Sequence, residues 1–151
     1  MSPAKGSLGR EQEKRVRQAF TRVPFARLLG IKLESLGAGT AVLTLTLKEN
    51  LKQNSGVVHG GAIASLVDTA TAFAILTLLG EDQQVTTVDL TISYLRPLSS
   101  GRARATARVR KAGRRLITVS ADVYARDGNL AATALSTYIR LSDPTPRPTV
   151  E

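Results

Sequence analysis

The chain has 151 residues and a mass of 16.1 kDa, the size of a single domain. It contains no cysteine and one histidine, which excludes disulfides, a thiolate zinc site, a cysteine nucleophile and a multi-histidine metal site. Lys and Arg number 21 against 12 Asp and Glu, and the net charge of +9 predicts an anionic partner.

The N-terminal part of the chain predicts a tail, a short helix and two strands. Residues 1–9 form the predicted tail, and because this polar start lacks the apolar core of a signal peptide we expect a cytoplasmic protein. Residues 10–23 have apolar side chains at helical spacing, and Pro24 is expected to end that helix. Residues 28–36 and 40–47 are the predicted strands.

The most apolar stretch, residues 61–79, predicts one long helix that is buried within the protein. Its length approaches the ~20 residues that span a membrane. However, Asp68 lies near its middle, where a charge costs on the order of 3 kcal/mol in lipid, so we expect no membrane partner. A polar loop over residues 48–56 precedes this helix, and Gly80 is its predicted C-cap.

Four strands and a Pro-rich tail are predicted for the rest of the chain. The strands have alternating patterns over residues 85–95, 102–110, 116–125 and 130–141. In the first of them, one face is expected to hold Val88, Leu90, Ile92 and Tyr94. Asp127 and Gly128 form a strong hairpin signal between the last two.

This order of elements predicts an α+β fold, in which an antiparallel sheet wraps around one long central helix. The sheet would then have an uncovered edge and an uncovered face, which oligomerisation can cover. We expect three segments: residues 1–23 as an N-terminal tail and short helix, residues 24–141 as the domain, and residues 142–151 as a disordered tail.

The segment that carries chemistry is NSGVVHGGAIASLVD, residues 54–68. Gly60 and Gly61 lie at the predicted helix start, where unpaired backbone N–H groups point outward and no Cβ blocks a ligand. The helix dipole adds positive potential there, which suits an oxyanion. Asp68 is the only ionisable group in the predicted helix, and such a carboxylate is costly unless it is paired or functional.

The string HGGAIASLVD, residues 59–68, together with TTVDLTISYLRP, residues 86–97, resembles hotdog-fold acyl-CoA thioesterases of the phenylacetate-degradation, or PaaI-like, type. The likeness covers roughly residues 24–141. It implies the hotdog fold and hydrolysis of an acyl-CoA without a cofactor, since coenzyme A is part of the substrate. It also implies a homo-oligomer, dimer or tetramer, with the site between two subunits.

The resemblance also implies roles for individual residues. The backbone N–H of Gly60 would polarise the thioester carbonyl, and Asp68 would act as general base toward water or as a nucleophile. The polar residue that precedes the histidine in this family is either Asn54 or Gln53 here. Thr87 matches the hydroxyl residue that assists from the following strand.

Further residues are predicted to bind substrate: His59, Gly61, Gln53, Val58, Arg96 and Arg114. His59 is expected to fix the loop by hydrogen bonding, with general-base work as the alternative. Residues 96–115 contain eight basic side chains and no acidic one. Within them, Arg96 and the hairpin at residues 111–115 are the expected contacts for coenzyme A phosphates, and a solvated sheet face is the alternative.

Other functions remain as alternatives. A non-catalytic acyl-CoA-binding hotdog domain would keep the fold and the basic surface without hydrolysis. A nucleic-acid binder rests on charge alone, and aromatic content of only 4% weakens it, so we expect no nucleic-acid partner. A dehydratase or hydratase of the same fold would pair His with Asp or Glu differently. For Asp68 itself, the structural alternative is a carboxylate that pairs with an arginine or caps backbone.

Overall fold

The computed structural model describes residues 6–141, so the tail predicted at residues 142–151 lies outside the described residues. Within them the chain forms three α-helices and six strands. In chain order these are α1 Arg10–Thr21, α2 Pro24–Leu29, β1 Ile31–Gly37, β2 Thr40–Thr46, a 3-10 turn Glu49–Leu51, α3 Gly60–Leu76, β3 Gln84–Tyr94, β4 Arg102–Ala112, β5 Leu116–Tyr124 and β6 Leu130–Leu141.

The six strands form one antiparallel sheet in the order β1-β2-β4-β5-β6-β3, so β1 and β3 are its edges. The alternation read from the sequence is observed in the central strands. Small and branched side chains of β4 and β5 are buried against α3, while the arginines of β4 face outward. These features confirm the predicted α+β fold with a central helix on an antiparallel sheet.

Helix α3 is apolar on nearly every face, which is typical of a helix surrounded by protein. Leu66, Val67 and Ala70 have no exposed surface, and Phe73 meets Phe20 of α1 edge to face with ring centroids 5.2 Å apart. Among residues 6–141 no helix is long and apolar enough to cross a membrane. The cytoplasmic location stays a prediction.

The predicted C-cap of the central helix is wrong, because α3 ends at Leu76 and not before Gly80. The hydroxyl of Thr77 donates to the carbonyl of Ala74 at 2.7 Å and accepts the backbone N–H of Gly39, also at 2.7 Å. A side chain that binds backbone on both sides ends the helix here without a left-handed glycine.

Side chains of α1 satisfy the carbonyl groups at the C-terminal end of α3. The amide nitrogen of Gln12 donates to the carbonyls of Leu76, Thr77 and Leu79 at 3.1, 3.2 and 2.9 Å. Arg15 also donates to Leu79. Carbonyls that a helix end leaves without partners are therefore bound by a second helix.

The strand predicted over residues 28–36 is wrong in its first part, since α2 occupies Pro24–Leu29 and β1 begins at Ile31. Proline is favoured at the first position of a helix, so Pro24 starts α2 as well as following α1. Ala26 anchors α2 in the core, and Gly30, with φ of +80°, ends it.

The face predicted for β3 is correct for Leu90, Ile92 and Tyr94, whose partners in β6 lie on its inner face, and wrong for Val88. A β-bulge between Thr87 and Asp89 leaves Val88 out of the pairing with β6, and its side chain is 56% exposed. An extra residue of this kind reverses the alternation of the strand beyond it.

Candidate active site

A tight hairpin leads the chain into the start of α3. Lys52 and Val58 form an antiparallel bridge, and the N–H of Gln53 donates to the carbonyl of Val57 at 2.8 Å. Gly56 makes the turn with φ of +81°, a value that suits glycine. The hairpin therefore fixes the position of the backbone just before the helix.

His59 caps α3 with its own ring. Nδ1 accepts the N–H of Gly61 at 2.8 Å, and the carbonyl of His59 accepts the N–H of Ala62 at 2.9 Å. A ring nitrogen that accepts carries no proton, so this contact assigns the imidazole proton to Nε2. The N–H of Gly60 makes no hydrogen bond within residues 6–141, which leaves one free donor among the first N–H groups of the helix.

Tyr94 covers Gly60 from the end of β3. Its hydroxyl donates to the carbonyl oxygen of Gly60 at 2.8 Å. A Cβ at residue 60 would lie 3.2 Å from Cζ and 3.3 Å from the hydroxyl oxygen of Tyr94, which is closer than most such contacts. A larger residue at position 60 would therefore require the ring of Tyr94 to move by a few tenths of an ångström.

A cavity of about 280 Å³ opens beside Gly60. Its apolar lining comes from the hairpin, α3, the segment after β3 and β6, with Val57, Val58, Ile63, Leu98, Ala131 and Ala132 among its residues. Gln53 and Arg96 also line it, whereas Asn54 lies exposed at the hairpin tip and is not part of the lining. Of the two candidates for the polar position before the histidine, the structure brings Gln53 to the cavity.

Asp68 is half-buried on α3, and its two carboxylate oxygens differ. Oδ1 accepts the hydroxyls of Thr87 at 3.0 Å and of Tyr138 at 3.2 Å. Oδ2 makes no hydrogen bond, and Asp68 forms no salt bridge, within residues 6–141. The same residues contain no cluster of His, Cys, Asp or Glu placed to hold a metal ion. Hydrogen bonds to Oδ1 therefore hold the carboxylate in place, and Oδ2 is available to accept a hydrogen bond from another molecule.

Gly60 and Asp68 are not neighbours within one chain. They are separated by eight residues of α3, which is ~12 Å along the axis at 1.5 Å per residue. A water held by Asp68 lies only ~3 Å from its carboxylate. A single chain therefore contains both groups without bringing them to one substrate.

The two predicted phosphate contacts lie at opposite ends of the sheet. Arg96 lies beside the cavity, shortly after Tyr94 at the end of β3. Arg114 lies in the β4–β5 hairpin, just before Leu116. Leu116 pairs with Ile139 of β6, and Ile139 pairs on its other side with Thr86, near the start of β3. Eight strand residues separate Thr86 from Tyr94, or ~27 Å at 3.4 Å per residue. The structure therefore does not bring Arg114 to the cavity of its own chain.

Comparison with known proteins identifies the family. The family model described as the thioesterase superfamily matches residues 55–132. The medium/long-chain acyl-CoA thioesterase YigI of Salmonella typhimurium is 30% identical over 132 residues, covering 78% of this chain and 85% of YigI. The chain belongs to the thioesterase superfamily.

Solved structures place this thioesterase with the hotdog-fold proteins. A thioesterase family protein from Silicibacter pomeroyi superposes with a TM-score of 0.81 at 32% identity, over 86% of this chain and 98% of its own. The E. coli PaaI protein from the phenylacetic acid degradation operon gives 0.83 at 26% identity, over 91% and 98%. The predicted hotdog fold and PaaI-like resemblance are confirmed, and the chain is a thioester hydrolase.

Two tyrosines of this thioesterase received no role from its sequence. Tyr94 stands inside the strand motif, but only the fold shows that it reaches Gly60. Tyr138 is 2% exposed and alternates with Ala134 and Ser136 on the inner face of β6. A buried tyrosine needs a hydrogen-bond partner for its hydroxyl, and a tyrosine on the apolar face of a predicted strand was the one indication in the sequence that Tyr138 contacts a polar group.

Proposed function

We propose that this thioesterase hydrolyses acyl-CoA thioesters to a free acid and coenzyme A, with Asp68 activating water and the N–H of Gly60 polarising the carbonyl. The observation that carries the proposal is a pair of groups without hydrogen-bond partners among residues 6–141: the N–H of Gly60 beside an apolar cavity, and Oδ2 of Asp68. The apolar lining of the cavity suits an acyl group.

The chemistry requires little else. Oδ2 of Asp68 takes a proton from water, whose oxygen attacks the thioester carbonyl carbon. The carbonyl oxygen becomes an oxyanion, which accepts the N–H of Gly60 at the positive end of the helix. The C–S bond then breaks, and Asp68 returns its proton to the departing thiolate. Thr87 assists by holding Oδ1 at 3.0 Å.

A second copy of the chain would complete the site. The ~12 Å between Gly60 and Asp68 is too long for one water to bridge. Asp68 is bound by Thr87 of β3, and β3 is an edge strand whose outer side is unpaired within the described sheet. Pairing of two such edges would set the Asp68 of one subunit toward the Gly60 loop of the other, in a dimer or in a tetramer of two dimers.

The coenzyme A end of the substrate carries phosphates, which arginine binds well. Arg96 is exposed beside the cavity and is the proposed contact, with Gln53 as the polar side chain nearer the thioester and Val58 as lining. Arg114 would contribute only if a second copy brought its hairpin to the same cavity. Asn54, His59 and Gly61 then shape the loop and the helix start.

Thiol release from a panel of aliphatic and aromatic acyl-CoAs tests the proposal, with Asp68→Ala compared to wild type. Loss of the general base is expected to lower kcat by ~10²–10⁴-fold. Asp82→Ala is the matched control, because Asp82 is an exposed carboxylate in the turn between α3 and β3 and should leave kcat unchanged.

Equal turnover by Asp68→Ala and wild type would refute the role of Asp68. Tight binding of coenzyme A esters by the wild-type protein, without any thiol release, would instead support the non-catalytic acyl-CoA-binding alternative.

A further inference from the structure

Behind the carboxylate of Asp68 lie two hydroxyl groups that no solvent reaches. Thr71 has no exposed surface and Tyr138 is 2% exposed. Their oxygens are 2.8 Å apart, and the hydroxyl of Tyr138 lies 3.0 Å from the carbonyl oxygen of Asp68 and 3.2 Å from its Oδ1. One residue comes from the central helix and the other from β6, so the two elements meet through this pair.

The hydrogen bond between Thr71 and Tyr138 can run in either direction. The hydroxyl of Thr71 lies 3.0 Å from the carbonyls of Val67 and Asp68, so it can donate either to the helix or to Tyr138. If it donates to the helix, Tyr138 must donate to Thr71 and leaves Oδ1 without its proton. If it donates to Tyr138, the proton of Tyr138 is directed at Asp68, where the carbonyl oxygen at 3.0 Å and Oδ1 at 3.2 Å share it. An ionised carboxylate favours the second arrangement, because charge-assisted hydrogen bonds are roughly twice as strong as neutral ones.

We propose that Tyr138, oriented by Thr71, is a positioning residue that keeps Oδ1 of Asp68 occupied, so that Oδ2 alone takes and returns the catalytic proton. This inference rests on the proposed function of Asp68. Thr87 binds Oδ1 from the strand side, and Tyr138 binds it from inside the core. Two donors on one oxygen fix the rotation of the carboxylate and leave its other oxygen facing away from the core.

The surroundings of Tyr138 keep its hydroxyl protonated and its ring in place. Burial raises the pKa of Tyr138 to about 12, so its hydroxyl keeps its proton through the neutral range. Its ring belongs to a strand paired on both sides, with β3 and with β5, so its position is fixed by the sheet. A donor that neither ionises nor moves suits the task of orienting a general base.

The test compares variants that separate the hydroxyl groups from packing. Tyr138→Phe removes only a hydroxyl, and kcat is expected to fall about 10-fold with KM unchanged, the value of one hydrogen bond to a charged group. Thr71→Val keeps the packing and removes the hydroxyl, whereas Thr71→Ser keeps the hydroxyl and removes a methyl group. In Thr71→Val the hydroxyl of Tyr138 still has Asp68 as its acceptor but loses the donor that polarises and orients it, so we expect kcat to fall, though less than in Tyr138→Phe. We expect Thr71→Ser to retain kcat. A purely structural role predicts that Thr71→Ser, which leaves a small gap, is the worse of the two.

A double variant, Tyr138→Phe with Thr71→Val, is expected to have the kcat of Tyr138→Phe alone, because Thr71 acts through Tyr138. Tyr124→Phe is the control for loss of a tyrosine hydroxyl from a neighbouring strand, and thermal melts report the folded fraction of each variant. Should Tyr138→Phe fail to fold, the Val and Ser variants of Thr71 still decide the question.

Wild-type kcat in Tyr138→Phe, or equal kcat in the two Thr71 variants, would overturn the inference. If Asp68→Ala is inactive in the same assay, the proposed function then stands while the positioning role falls. Wild-type turnover in Asp68→Ala would refute both.

Discussion

At the scale of single residues, the backbone N–H groups of Gly60 and Gly61 have different roles at the start of α3. His59 uses its ring to bind the N–H of Gly61, so the second glycine gives its donor to the cap. The N–H of Gly60 has no acceptor in the described part of the chain, and Tyr94 packs against the same glycine. The chain therefore presents one donor of defined direction at the positive end of α3, which is what a single developing oxyanion needs.

Two substitutions of Gly60 isolate that donor. Gly60→Ala and Gly60→Pro both place a Cβ against Tyr94, but only proline removes the N–H. Proline is favoured at a first helical position, and His59, with φ of −63° and ψ of 132°, already has the extended backbone that precedes a proline. We expect kcat for acyl-CoA hydrolysis to fall ~10²–10³-fold further in Gly60→Pro than in Gly60→Ala. Similar rates in the two variants would show that the N–H does not act on the carbonyl.

At the scale of elements, α1 stabilises the end of the helix that carries Asp68. Gln12 binds the carbonyls of Leu76, Thr77 and Leu79, and Phe20 packs on Phe73. Helix α1 precedes residues 55–132, the part matched by the family model, so this support comes from outside that part.

Gln12→Ala is expected to lower the free energy of unfolding by about 1–2 kcal/mol more than Gln18→Ala does. Both changes replace glutamine by alanine within α1, so their effects on helix propensity cancel. Only Gln12 binds the carbonyls of α3, whereas Gln18 is exposed. Urea denaturation followed by circular dichroism measures the difference, and equal midpoints and slopes for the two variants would contradict it.

Elements with a regular pattern were predictable from the sequence. The alternation of arginine with alanine in β4 gives its two faces, and the apolar run gives α3. Helix α2 was not predictable, because six residues cannot form a stable helix alone and depend on the burial of Ala26. The bulge at Val88 was equally hidden, since the pattern of β3 reads as continuous.

The same distinction holds for the site. Gly60, Asp68 and Thr87 stand in short motifs that the sequence displays directly, and the structure joins the last two at 3.0 Å. Tyr138 reaches Asp68 from 70 positions away, and only the pairing of β6 with β3 and β5 brings it there. Contacts set by the order of strands in a sheet have no local signature in a single sequence.

At the scale of the whole molecule, the two proposed catalytic groups of one chain lie in different regions. The donor N–H of Gly60 lies beside the cavity, and the carboxylate of Asp68 lies ~12 Å along α3, toward the edge strand β3. In a symmetric dimer, Gly60 of each chain would face Asp68 of the other chain, so the two chains would form two complete sites.

Mixing two inactive variants tests this arrangement. Asp68→Ala keeps the donor, and Gly60→Pro keeps the carboxylate, so a dimer of one with the other would contain one intact site. With random pairing about half of the dimers are mixed, and the mixture should recover about a quarter of the wild-type rate after co-refolding or co-expression. Each variant refolded alone is the control. A mixture no more active than its components would place the whole site within one chain.

The bulge in β3 also decides which side chains of that strand face the core. Before Val88, Val85 packs on the core and Thr87 reaches Asp68; after it, Leu90 and Ile92 face inward, so the strand changes parity at one residue. If Val88 paired with β6 as an ordinary strand residue, Thr87 and Leu90, which are three positions apart, would point to opposite faces. The bulge therefore lets one strand turn its apolar side chains to the core and Thr87 to Asp68 at the same time. Deletion of Val88 would also leave both halves on the inner face, whereas any change that keeps Val88 and flattens the bulge would turn one of them outward.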